Sequence, residues 1–138
     1  MPSSIEQIEV KISKIRQYLK EIKAFHNFNI HELKSNSQKK AALERFLYLA
    51  CDSMISLLEM YISYKKFPKA ENYAENVDIL QEQGEISVDK TDLLHKIISF
   101  RNILTHDYEK LDLEIIKNIV DNRLDDIEEI LVMIEKKL

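Results

Sequence analysis

A permanent cation, an amide, an imidazole and a phenol lie within eight residues near the end of an apolar helical pattern. These residues are Arg101, Asn102, His106 and Tyr108. Arg101 interrupts an otherwise apolar stripe, so its guanidinium needs a partner, because an unpaired buried charge is very costly. Asn102 and His106 are four residues apart and share a helix face that continues backwards through Ser99 and His95. This arrangement predicts a functional site.

The residue types suit chemistry on a phosphate. An imidazole can serve as general acid or base near neutral pH, and an arginine can bind a phosphate bidentately and stabilise developing charge. With RNA, the set would suit metal-free cleavage in which the ribose 2′-hydroxyl, the group that distinguishes RNA from DNA, attacks the adjacent phosphate. One motif supplies one histidine, so two copies meeting at a two-fold axis would make a more complete site.

A structural alternative stands beside this hypothesis. Arg101 could pair with Asp125 or Glu129 on the last helix, and His106 could cap the end of its own helix. Tyr108 could be a core residue, since it continues the stripe. The apolar members of that stripe are Leu94, Ile97, Leu104 and Tyr108. Under this alternative, mutations in the motif change stability and nothing else.

The composition predicts long helices joined by few turns. The chain has one glycine and two prolines, and strand-rich proteins need many more turn residues. The apolar periodicity predicts an all-α antiparallel bundle of four long helices and one short helix, in one domain over residues 1–138. The predicted helices are 4–25, one from Ser37 to about 64–67, a short one over 69–83, one from an Asp89 cap to about 108, and one from an Asp112 cap to 138.

Charge and cysteine content narrow the function classes. The formal net charge of −4 disfavours a broad grip on DNA or other nucleic acid, although a small basic cleft remains compatible with it. Cys51 is the only cysteine and lies in an apolar run, so it is expected to be a core residue in a reducing cytoplasm. Neither a signal peptide nor a membrane span is expected. His26 and His31 have poor spacing for metal ligands, and no metal site is predicted.

The motif, taken with its surroundings, resembles a known family. Arg-x4-His-x-Tyr with Asn directly after the Arg is similar to the signature of the HEPN superfamily, and more narrowly of HepT-type toxins. The hydrophobic second helix, the segment from Tyr73 to Gly84 and the acidic last helix are similar to the layout of that family. The resemblance covers nearly the whole chain.

The resemblance implies a HEPN-like helical homodimer with two motifs facing a composite cleft. It implies metal-independent endoribonuclease activity without a cofactor, with Arg101 and His106 as catalytic residues and Asn102 in support. It also implies an MNT-type nucleotidyltransferase antitoxin as partner, which adenylylates the residue matching Tyr108. A bulky anion two residues from His106 would block the cleft and repel RNA. The alternative is a non-catalytic partner subunit of a nucleotidyltransferase that binds substrate or nucleotide.

Overall fold

Residues 4–106 and 110–138 are described by the computed structural model, and seven α-helices are found in these ranges. In chain order they are α1 (Ser4–Lys23), α2 (Ile30–Ser35), α3 (Ser37–Lys65), α4 (Tyr73–Glu82), α5 (Val88–His106), α6 (Leu113–Asn122) and α7 (Leu124–Lys136). The described ranges contain no β-strand. The predicted all-α fold is therefore confirmed.

The centre of the bundle is α3, the longest helix, which carries ten buried residues. It packs against α1, α2, α4 and α5. By length and composition alone α3 could span a membrane, with a mean hydropathy of 1.3 in its most apolar window, but 56% of that window is buried inside the bundle. Such burial is expected for a core helix that is apolar on most of its circumference.

The apolar residues that recur every three or four positions along α1, here called its seam, face the core. Its buried members are Ile8, Ile12, Ile15, Leu19 and Ile22. Beside the seam, Arg16 binds Glu135 through both terminal nitrogens at 2.7 and 2.6 Å, and its Nε donates to Glu128 at 2.8 Å. The hydrogen bonds from Arg16 to Glu135, opposed by partial burial, lower the pKa of the Glu135 carboxyl below its ordinary value. The first and last helices are thereby joined by both apolar packing and a three-residue ion cluster.

The residues that cap two helices differ from those that the sequence favours. The helix α3 begins at Ser37 as predicted, but its N-cap is Asn36, which accepts a hydrogen bond from the Lys39 backbone N–H at 3.1 Å. Ser87, not Asp89, caps α5, since its Oγ accepts from the Lys90 N–H at 3.2 Å. Polar residues cluster at both ends, and only the backbone geometry selects among them.

The short helix α4 is smaller than predicted, and its end is as expected. Asn72 caps it by accepting from the Glu75 N–H at 2.9 Å, so the helix begins at Tyr73 and not at residue 69. Gly84 follows its end with a φ of +72°, in the left-handed region where a glycine is favoured. The α4 helix packs against both α3 and α5.

The predicted last helix is two helices. Asp112 caps α6 as predicted, accepting from the Glu114 N–H at 2.9 Å. The helix is interrupted at Arg123, which lies between α6 and α7 with a φ of −118° and a ψ of −1°. Arg123 binds Asp126 at 2.6 Å and Asp89 at 3.1 Å, which ties the break to the start of α5. Buried apolar residues recur at helical spacing in both α6 and α7, so periodicity alone does not reveal the break between them.

Candidate functional site

The motif lies on the last turns of α5, and buried leucines and isoleucines set the rotation of this helix. Leu94, Ile97 and Leu104 are 1%, 4% and 2% exposed, and α5 packs against α3 and α4. With these residues turned inwards, Arg101 lies at the edge of the packed face. Asn102 and His106 are exposed on the outer side of the same turns. The predicted orientation of the stripe is confirmed for these three apolar residues.

Arg101 is held by three neighbours. Its Nε donates to Asp52 Oδ1 at 3.2 Å, and a terminal nitrogen donates to Asn102 Oδ1 at 3.2 Å. Its guanidinium carbon also lies 5.5 Å from the centre of the Tyr73 ring. The Arg101 side chain is 21% exposed, so these neighbours do not bury it completely. A carboxylate, an amide and an aromatic ring thus hold the cation without enclosing it.

The expected partner of Arg101 on the last helix is wrong. Glu129 pairs with Lys90 at 2.8 Å instead, and Asp125 is exposed. The reason is the packing: α3 and α4 lie along α5, so the carboxylate nearest Arg101 comes from α3. The partner is Asp52, which is 49 residues away in the chain.

The polar face of α5 has a histidine at each end, and only one of these two histidines has a partner. At one end, His106 is exposed, and its imidazole makes no hydrogen bond or ion pair with any residue in the described part of the chain. At the other end, the His95 Nε2 lies 2.9 Å from Asp78 Oδ1 on α4. His95 therefore has a structural partner, whereas the imidazole of His106 is available for a substrate or a second protein copy.

The prediction for Tyr108 concerns a residue that lies outside the described ranges. The helix that carries the motif is described up to His106, two residues before it. The assignment of Tyr108 as a modification site accordingly stays a prediction.

Two neighbours of the site were missed by sequence reasoning. Asp52 is a single acidic residue within the apolar run of α3, directly after Cys51, and a lone charge in such a run is a signal that it has a partner. Tyr73 is 37% exposed at the first turn of α4, and only its contact with Arg101 gives it a role in the site.

Cys51 is a core residue, as predicted. It is 7% exposed, and burial, with the Asp52 charge adding to it, raises the pKa of its thiol to about 12. It lines a small apolar cavity of about 30 Å³. Within residues 4–106 and 110–138, no group of three or more His, Cys, Asp or Glu side chains is placed to hold a metal ion.

Fold and motif together define a class of all-helical bundles that carry an Arg–Asn–His site at the end of one helix. The model of the family described as "Ribonuclease HepT-like" matches residues 15–134. The chain belongs to this HepT-like family. The resemblance found in the motif is thereby confirmed at the level of the family.

Individual relatives agree over nearly their whole length. The mRNA nuclease HepT of Shewanella oneidensis (strain MR-1) is 22% identical over 125 residues, which cover 91% of this chain and 93% of that protein. The tri-AMPylated HEPN toxin of Shewanella oneidensis, solved in complex with an MNT antitoxin, superposes with a TM-score of 0.84 at 22% identity and covers 99% of both chains. A toxin–antitoxin structure with AMP-PNP gives a TM-score of 0.83 at 22% identity, covering 94% of this chain and 97% of that one. At this identity the structural matches establish the fold.

Proposed function

We propose that this protein is the toxin of a HepT/MNT-type toxin–antitoxin pair and that it cleaves RNA in the cytoplasm without a metal ion. The observation that carries the proposal is the end of α5. There Asp52 and Asn102 hold the Arg101 guanidinium, and His106 is exposed a little over one helical turn further on. Membership of the family and a relative that is an mRNA nuclease support the same activity.

The reaction assigns one task to each side chain. Arg101 binds the scissile phosphate and stabilises the charge that develops on its oxygens. His106 accepts the proton of the ribose 2′-hydroxyl as the 2′-oxygen bonds to phosphorus, or gives a proton to the 5′-oxygen as its bond to phosphorus breaks. The products are a 2′,3′-cyclic phosphate and a 5′-hydroxyl. Asn102 keeps the guanidinium in place and offers its amide N–H groups to the phosphate.

The active unit is a homodimer in this proposal. One chain contributes one imidazole to the site, while the reaction uses both a base and an acid. Two α5 ends that meet at a two-fold axis would supply a second His106. Phe100 and Ile103, both half-buried on α5, are apolar residues available for such an interface. A monomer in sedimentation velocity at micromolar concentration would contradict this part of the proposal.

Cleavage is tested with a labelled single-stranded RNA in the presence of EDTA. We expect the wild type to produce 2′,3′-cyclic phosphate ends, and His106→Ala or Arg101→Ala to lower the rate by about a hundredfold or more while helicity is retained. His31→Ala is the matched control, because His31 is an exposed histidine on α2. Cleavage by His106→Ala at the wild-type rate, or loss of wild-type cleavage in EDTA, would contradict the mechanism. A wild type that binds nucleotide and cuts no RNA would instead support the role of a binding subunit.

Regulation is proposed to occur at Tyr108. A structurally similar toxin is tri-AMPylated in complex with its MNT antitoxin. Incubation with ATP, Mg²⁺ and a cognate MNT-type enzyme should add adenylyl mass to the wild type and none to Tyr108→Phe. Tyr73→Phe is the control, because Tyr73 is another exposed tyrosine at the site and contacts Arg101. This variant should still be modified. Label found elsewhere by peptide mass spectrometry would refute the assignment and leave the nuclease proposal intact.

A further inference from the structure

A groove lies between α3 and the end of α5, next to the candidate site. It is open to solvent and encloses about 590 Å³. Its lining residues are Ala41, Glu44, Arg45, Tyr48, Leu104 and Thr105. Thr105 directly precedes His106 in the chain, so the groove lies next to the proposed catalytic residues.

The groove and the Arg101 site are both formed between one face of α3 and one face of α5. Arg45, Tyr48 and Asp52 are spaced by three and four residues, so they share one face of α3. On α5, Arg101 and Thr105 are four residues apart, and the Thr105 hydroxyl donates to the Arg101 carbonyl at 2.8 Å. Since Asp52 contacts Arg101 and Tyr48 lines the groove with Thr105, the two sites are about one helical turn apart, or about 6 Å along the axis. That distance is on the scale of one nucleotide of a single strand.

Arg45 presents a cation in this groove that no carboxylate neutralises within the described residues. Its guanidinium carbon lies 5.7 Å from the centre of the Tyr48 ring, and the residue is exposed. The neighbouring Glu44 is already paired with Lys40 at 2.7 Å. A guanidinium held against an aromatic ring offers a flat face on which a base can stack, while its N–H edge can bind a phosphate.

We propose that this groove binds the nucleotide next to the scissile phosphate of a single-stranded RNA. The base stacks on the Arg45–Tyr48 pair, and the phosphate of that nucleotide accepts hydrogen bonds from Arg45. The inference rests on the proposed ribonuclease function and adds a substrate subsite to it. A single strand is specified because bases in a duplex are stacked on each other and cannot reach such a surface. A small cationic subsite also fits a chain whose net charge is −4.

The test measures binding separately from cleavage. The probe is a fluorescent single-stranded RNA with 2′-O-methyl groups, which lacks the attacking hydroxyl and cannot be cut, and the readout is fluorescence anisotropy. We expect Arg45→Ala and Tyr48→Ala to weaken binding between about fivefold and about a hundredfold, the range of a lost base stack. Tyr48→Phe keeps the ring and should bind within about twofold of the wild type. Lys136→Ala removes the same charge from an exposed position on α7 and is the matched control.

Each outcome decides the proposal. Weaker binding by both alanine variants, with Lys136→Ala close to the wild type, supports the subsite. Equal losses in Arg45→Ala and Lys136→Ala would overturn it, because the effect would then be general charge. If Tyr48→Ala does not fold, Arg45→Ala decides alone, since Arg45 is exposed. A change in sedimentation of Arg45→Ala would show a protein interface on this face and would also overturn the proposal.

The failure of this inference is distinguishable from failure of the proposed function. A wild type that cleaves RNA, together with Arg45→Ala and Tyr48→Ala variants that bind the uncleavable probe normally, refutes the subsite and leaves the nuclease. A wild type that cuts nothing, while these variants lose binding to the probe, refutes the nuclease and leaves the subsite.

Discussion

The Asp52–Arg101 pair yields a prediction that separates a functional role from a structural one. Asp52→Asn keeps the size and one acceptor oxygen of the side chain but removes its charge. Asp52 and Arg101 are 42% and 21% exposed, so solvent screens the pair, and its contribution to the free energy of unfolding should be at most about 1 kcal/mol. Arg101 keeps its contacts with Asn102 and Tyr73, so the guanidinium is loosened and not released.

The expected effect on cleavage is much larger than the effect on stability. A displacement of about 1 Å at a reacting group can cost about a hundredfold in rate. Because two of the three contacts of Arg101 remain, we expect kcat/KM for RNA to fall between about tenfold and about a hundredfold. The assay is steady-state cleavage of a fluorogenic single-stranded RNA, with urea unfolding of the same samples.

Two controls make the reasoning refutable. Glu129→Gln is the matched variant, because it also removes a carboxylate that pairs with a partly buried cation, Lys90, but on α7. In an Arg101→Ala background, Asp52→Asn should cause no further loss, because Asp52 acts through Arg101. Wild-type activity in Asp52→Asn, or an equal loss in Glu129→Gln, would refute the positioning role.

Two further predictions concern stability. Tyr61 is fully buried and its hydroxyl donates to Glu85 at 3.0 Å, so Tyr61→Phe should lower the free energy of unfolding by about 2 kcal/mol in urea titrations, and an unchanged midpoint would contradict this. The pKa of Glu135 is lowered from its ordinary value of 4.5 by its bonds to Arg16. Its stabilising contribution is therefore complete above about pH 4.5 and is lost as the pH falls through the lowered pKa, so Glu135→Gln should flatten this part of the stability–pH curve.

The amino-acid sequence by itself determined the helical class and the identity of most core residues. The seam of α1 and the stripe Leu94–Ile97–Leu104 are buried as their spacing predicts, because a helix repeats every 3.6 residues and must bury its apolar face. The location of the motif near the end of one helix follows from the same local rule. Helix ends were less well determined, since several neighbouring polar side chains can cap and the backbone conformation selects one.

Only the tertiary structure decided which side chains meet. Periodicity says which face of a helix is buried, but the rotation and axial register of two packed helices decide which residues lie opposite each other. Arg101 therefore finds Asp52 and Tyr73, from α3 and α4, and not a carboxylate of the last helix. The same register places Tyr48 beside Thr105 and so makes a groove that neither helix has alone. Periodicity also did not reveal the interruption at Arg123, because the apolar spacing continues from α6 into α7.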